Sequence, residues 1–312
     1  MPTWSSTLDQ AGITESLLRR DFTDQRRLVA RFARAEYVAV RLLLSASLIP
    51  DVIAATAFMH HTDNLIDQGP LAERLAALAH WDRQVRAALD TGSAGEPVLR
   101  ALLDAVQRRP QLRRYAQDFL AGAPAEVRWE GFEDEDAFQY YVDAYSHPAF
   151  MVVACLIEPP SAQDAYTSGC RMFIEASQRL DFLEDLAEDL SSGRLGIPQT
   201  ALAQCGLSRA ELEQEPAPNR VRELVEHQVA WVRPRFTASR HLIELVEPHN
   251  KPFIRALVSL QELRLRKVET AGPALLHTSP RTPVAGALRL LAGEYRSARV
   301  IKKSRSTQRP ID

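Results

Sequence analysis

The chain has 312 residues, 46% hydrophobic and 25% charged, which is ordinary globular usage. Its 38 basic and 40 acidic residues leave a net charge of −2, without the positive excess of a dedicated nucleic-acid binder. Cys155, Cys170 and Cys205 are too few and too scattered for a disulfide framework or a CxxC zinc site, so an intracellular, reducing setting is expected.

The first residues, Met1-Pro2-Thr3-Trp4-Ser5-Ser6, lack a basic segment followed by an apolar one. No secretory leader is therefore expected, and a cytoplasmic location follows. Leu28, Phe32 and Ala35, continued by Val38 and Leu42, form a first helical stripe. The longest apolar stretch, from Leu42 to Phe58, is interrupted by Ser45, Ser47, Pro50, Asp51 and Thr56. It falls short of the ~20 apolar residues of a membrane span. Leu71, Leu75, Leu78 and Trp81 form a second stripe, and Leu99, Leu102, Leu103 and Val106 a third. No alternating strand pattern appears. Proline and glycine breaks, among them Pro50, Gly69-Pro70, Arg109-Pro110, Pro159-Pro160 and Gly272-Pro273, divide the chain into about ten helices of roughly 12–25 residues. The expected architecture is a single all-α domain over residues 1–295, followed by a basic, Ser-rich tail over 296–312 that frays.

Two segments place carboxylates at helical spacing. Asp63 and Asp67 are separated by four residues, so both leave one helix face. Asp181, Asp185 and Asp189 form a ladder in steps of four, with no Lys or Arg between them. Like charges at this spacing repel, and both segments follow apolar runs, so cations are needed to hold them inside a bundle. Hard carboxylate oxygens select Mg²⁺, which shares such ligands with a phosphate-bearing substrate. The chain has no P-loop and no kinase motifs. A Mg²⁺ cluster gripping a diphosphate from two opposed helices is the chemistry this pattern supports. Two acidic surface helices remain the alternative. A di-iron carboxylate bundle would need Glu-x-x-His pairs, and Glu184 and Glu188 are followed three residues later by Ala187 and Ser191.

These residues give the chain a resemblance to the squalene/phytoene synthase family over roughly residues 37–272. Asp63-Asn64-Leu65-Ile66-Asp67 resembles the first family motif, DxxxD. Asp181 to Asp189, followed by Gly193-Arg194-Leu195-Gly196-Ile197-Pro198, resembles the second, N-x-x-R-D-x-x-x-D with its GR-x-Y-x-P tail. Phe132 to Tyr141 is similar to the segment entering the family's central helix. The resemblance implies the isoprenoid synthase fold, a helical bundle around a central cavity, and Mg²⁺-dependent ionisation of an allylic prenyl diphosphate.

Several positions depart from the family pattern. Arginines are replaced by His60 and Glu184, an asparagine by Asp181, and tyrosines by Gly196 and Gln261. A small Ala-Gly stretch becomes Ala144-Tyr145-Ser146-His147-Pro148. Each charge change at 5–6 Å is worth about 3 kcal/mol at an effective dielectric near 20, so a second diphosphate is expected to be poorly compensated. The expectation is therefore a prenyltransferase of secondary metabolism that passes one short prenyl group, dimethylallyl, to an aromatic acceptor such as a carbazole or an indole. Head-to-head joining of two prenyl diphosphates is the first alternative, and a non-catalytic helical module the second. The expected metal ligands are Asp63, Asp67, Asp181, Asp185 and Asp189. His60, Glu184, Tyr145 and His147 are the candidate acid–base and pocket-shaping groups. Arg194, Arg41, Tyr141 and Gln178 are the candidate substrate contacts. Arg264, Arg266 and Lys267 read as a solvated face or, alternatively, a cap on the diphosphate.

Overall fold

The computed structural model describes residues 2–214, 217–280 and 284–307, except the side chains of residues 284 and 300–307. The described residues form seventeen α-helices. The first seven are α1 (Trp4–Gln10), α2 (Ser16–Phe32), α3 (Arg34–Leu43), α4 (Ile49–Ile66), α5 (Leu71–Thr91), α6 (Pro97–Arg108) and α7 (Gln111–Val127). A central rod follows, made of α8 (Glu135–Tyr141), a π-helical segment (Val142–Ser146) and α9 (His147–Ala154). Next come α10 (Gln163–Glu184), α11 (Leu186–Ser191), α12 (Gln199–Gln204), α13 (Arg209–Glu213), α14 (Pro218–Ser239), α15 (Leu242–Leu245), α16 (Lys251–Ala271) and α17 (Val284–Thr307). There is no β-strand among the described residues, only an isolated parallel bridge between Gly131 and Leu195.

Two helices position the site. The first half of α4 is apolar on every face, and Ile49 to Ala55, Ala57 and Phe58 are all buried. A helix hydrophobic all round belongs inside a bundle, and α4 packs among α2, α5, α6 and α9. Its one buried carboxylate there, Asp51, is held by Arg108 at 2.7 Å and Arg109 at 3.3 Å. On α10, Tyr166, Cys170, Phe173, Ala176, Leu180 and Leu183 recur at steps of three or four and are all buried. Gly169 allows Leu242 to press against the α10 backbone.

The central rod passes between these two helices. Pro148 has no N–H to bond the Ala144 carbonyl, and its ring crowds that oxygen. The helix widens in response, and the His147 N–H donates to the Val142 carbonyl, five residues back. The displaced Ala144 carbonyl lies against α7 at Gly122, where a Cβ would overlap it.

The structure corrects three sequence expectations. The helices number seventeen rather than about ten, because pieces of four to seven residues are too short for periodicity to reveal. The stripe through Leu28 and Phe32 is not a core face. The chain breaks at Ala33 (φ −118°, ψ 56°), which leaves Leu28 and Phe32 exposed and buries Val29. Helix α17 runs unbroken across the boundary expected at 295/296 and packs on α16 and α3, whereas tail residues 308–312 lie outside the described residues.

Candidate functional site

The last turn of α4 carries the first aspartate pair. Asp63 is half-buried and Asp67 follows the helix end in the open. Tyr145 donates from its hydroxyl to Asp63 Oδ1 at 3.3 Å. Burial, then the neighbouring Asp67 and Glu126, push the Asp63 carboxyl up to about 7, against the Tyr145 hydrogen bond. Asp67 is also raised by burial, against the attraction of Arg194, His60 and Arg74.

The second motif straddles a break. Helix α10 ends at Glu184, and Asp185 (φ −96°, ψ 8°) turns the chain into α11. The Asp185 N–H donates to the Asp181 carbonyl at 2.9 Å, and the Asp189 N–H to the Asp185 carbonyl at 2.8 Å, so the four-residue register survives the bend. Asp185 is exposed and raised, by burial and by Asp181. Asp189 is buried and pushed up to about 6, by burial against Arg194 and with Asp185 adding to the rise.

Arg194 joins the two motifs. Its guanidinium lies 3.4 Å from Asp189 and over the Trp129 ring, and its backbone N–H donates to the Asp189 carbonyl. Its charge also acts on Asp185, on Asp67 of the first motif and on Glu126. Beside it stands an aromatic wall of Trp129, Phe132, Tyr141 and Phe182, with Trp129 and Phe182 stacked at 4.8 Å. Phe182 fills the space over Gly196, where a Cβ would overlap the ring.

The other sequence candidates divide. Tyr141 donates to Glu126, one turn from the Tyr145–Asp63 bond. Gln178 accepts from Ser146 at 3.0 Å and so braces the π segment. His60 stacks on Phe32 at 3.6 Å between ring centroids, and burial lowers its pKa against the pull of Asp67. His61 turns to Trp81 instead. Three candidates are placed otherwise than expected. Glu184 is not a free base, because Arg264 of α16 grips it through Nε at 3.1 Å and through a terminal nitrogen. His147, two residues after Tyr145, is turned away from the aspartate motifs. It lines a separate polar cleft of about 580 Å³ with Arg114, Glu158 and Asp164. Arg41 is engaged by the N-terminal segment, donating to Thr7 Oγ1 at 3.1 Å and to the Pro2 carbonyl at 2.7 Å.

One participant went unread in the sequence, and another was read in a different role. Glu126 continues the inward face of α7 after Leu112, Ala116, Phe119 and Ala123, and a carboxylate on such a face was the available signal. Arg264 is a partner of the second motif and not part of a solvated face.

Residues 29–287 match the squalene/phytoene synthase family, and the chain belongs to it. It is 29% identical over 210 residues to the bifunctional protein CrtB/UppS of Streptomyces coelicolor, covering 64% of this chain and 36% of that one. It is 26% identical to phytoene synthase 1 of Zea mays, covering 67% and 52%. The chain thus spans about half or less of these two relatives. The fold is similar to that of a dehydrosqualene synthase, with a TM-score of 0.79, 18% identity and coverage of 92% and 98%. A squalene synthase from Alicyclobacillus acidocaldarius gives 0.69, 22%, 86% and 95%. The helical bundle expected from the sequence is therefore the fold of these enzymes.

Proposed function

We infer that the protein is a metal-dependent prenyltransferase that joins two allylic prenyl diphosphates head to head. The carrying observation is the pair of aspartate motifs, on α4 and on α10–α11, within the field of one guanidinium, that of Arg194. Names of similar proteins support the head-to-head reaction over an aromatic acceptor, because they are phytoene, squalene and dehydrosqualene synthases. The charge objection to a second diphosphate is also reduced. Arg264 neutralises one of the two extra acids, Asp181 and Glu184.

The donor set fits a hard cation such as Mg²⁺. It is carboxylate oxygen throughout, and its carboxyls are raised, by burial first and then by neighbouring acids. Among the described residues no three His, Cys, Asp or Glu side chains are gathered closely enough to hold a metal ion by themselves. Asp63, Asp67, Asp185 and Asp189 would hold the metal. When bound, the metal supplies Lewis-acid neutralisation of the leaving diphosphate. The residues themselves orient and stabilise. Arg194 offers two parallel N–H donors to phosphate oxygens. Tyr145 and Tyr141 fix the Asp63 and Glu126 carboxylates by donating to them. As the C1–O bond breaks, its electron pair leaves with the diphosphate. Tyr145 and Tyr141, bonded to the Asp63 and Glu126 carboxylates, would supply π-faces to stabilise an allylic cation beside the leaving diphosphate.

The test is incubation with Mg²⁺ and farnesyl or geranylgeranyl diphosphate, read by mass spectrometry. C30 or C40 hydrocarbon with diphosphate release is expected. Prenylated carbazole or indole from dimethylallyl diphosphate, with no hydrocarbon from the long donors, would establish the aromatic acceptor instead. No diphosphate release from any donor would leave the non-catalytic module.

A further inference from the structure

Three departures from the family pattern meet at one side chain. Asp181 and Glu184, one turn apart on α10, and Gln261, one turn before Arg264 on α16, each accept a hydrogen bond from Arg264. Nε of Arg264 faces both Glu184 oxygens at 3.2 and 3.1 Å. One terminal nitrogen reaches Gln261 Oε1 at 2.9 Å, and the other reaches Asp181 Oδ1 and Glu184 Oε2. A guanidinium has five N–H donors in a rigid fork, and here at least four are used. Glu184 is buried, and its partner is the cation that makes that burial tolerable. Asp181 and Glu184 are the residues one turn before and directly before Asp185, where α10 breaks.

We propose that Arg264 is a positioning residue, an internal cation that withdraws Asp181 and Glu184 from the metal-binding set and leaves Asp185 and Asp189 as the ligands of the second motif. The inference rests on the metal-dependent reading above and deepens it. The five acids gathered by spacing are then not equivalent. Four hold metal, and the fifth, Asp181, holds Arg264. Glu184 serves the same clamp and takes no part in proton transfer.

Mn²⁺ binding to the full chain, followed by electron paramagnetic resonance without substrate turnover and repeated with inorganic diphosphate, tests this. Asp185→Asn should weaken Mn²⁺ binding by about tenfold or more. Asp181→Asn, which leaves Arg264 its Glu184 partner, should change it by no more than about threefold, the scale of a screened charge. Arg264→Gln frees two acids beside the site and should tighten Mn²⁺ binding or add an ion, the opposite of what a damaged fold would do. Should that variant fail to fold, the reversed pair Glu184→Arg with Arg264→Glu keeps the clamp and should restore wild-type Mn²⁺ stoichiometry. Loss of Mn²⁺ binding in Asp181→Asn equal to that in Asp185→Asn would overturn the clamp while leaving the metal-dependent reading intact. No Mn²⁺ binding by the wild-type chain, with or without diphosphate, would overturn both.

Discussion

Asp63 shows how much of the site is set by a single carboxyl's surroundings. Its pKa rises from 3.8 to about 7, through burial first and then through Asp67 and Glu126. A folded-state pKa above the unfolded value means that the folded state binds the extra proton across that window. Without metal, the Asp63 contribution to stability is therefore present below about pH 4 and is lost as pH rises through about 7. The histidines work the other way, since burial lowers His60, His61 and His147. The clean measurement is thus a difference between variants. Metal-free Asp63→Asn should match the wild type near pH 4 and exceed it near pH 8 by at least about 1 kcal/mol in urea unfolding. Equal stabilities at pH 8 would mean that Asp63 titrates as an ordinary surface carboxyl. Asp63 was legible in the sequence because spacing of four and an apolar prelude both pointed inward. Glu126 was not, because a lone carboxylate at the end of α7 forms no pair on its own helix and is joined to Asp63 only through the fold.

At the level of elements, what the sequence conveyed depended on length. Helices α4 and α10, at eighteen and twenty-two residues, carry enough turns for their buried faces to be read, but only Asp63 and Asp181 lie within them, with Asp67 just past the end of α4 and Asp185 and Asp189 beyond the end of α10. The π segment was visible only as a changed stretch, Ala144 to Pro148. Its consequence, a carbonyl displaced onto another helix, depends on Gly122 some twenty residues earlier. Gly196 is a similar case, because a missing tyrosine reads as a loss until Phe182 is seen filling its place. The π segment yields a direct prediction. Gly122→Ala sets a methyl group onto the Ala144 carbonyl, and neither backbone can yield without moving α7 or the rod. The variant should lose about 3 kcal/mol in chemical denaturation, at the upper end of overpacking. It should also weaken the Tyr145–Asp63 contact, since Tyr145 is the next residue on the rod. A loss under about 0.5 kcal/mol would show that the widened turn is not wedged against α7.

Across the whole molecule, a net charge of −2 conceals a strong local imbalance. Asp63, Asp67, Glu126, Asp185 and Asp189 converge from three parts of the chain, with Arg194 the cation whose field acts on four of them. Their mutual repulsion opposes folding, and the apolar clusters around α4 and α10 offset it. Without bound cations these acids repel one another, a strain that cations and diphosphate together would relieve. Mg²⁺ alone fills its oxygen shell with water and gains little from a few carboxylates, and diphosphate alone adds anions to an acidic site. Only the pair should stabilise strongly. At about 100 times the dissociation constant, linkage contributes about 2.7 kcal/mol, which for a chain of this size raises the melting temperature by roughly 5 °C. Scanning fluorimetry with Mg²⁺, with inorganic diphosphate and with both should give a shift with both that exceeds the sum of the separate shifts. Asp63→Asn combined with Asp185→Asn should abolish that excess, because one ligand is removed from each motif. Equal excess in wild type and double variant would place the diphosphate elsewhere on the protein and separate the aspartate motifs from its binding.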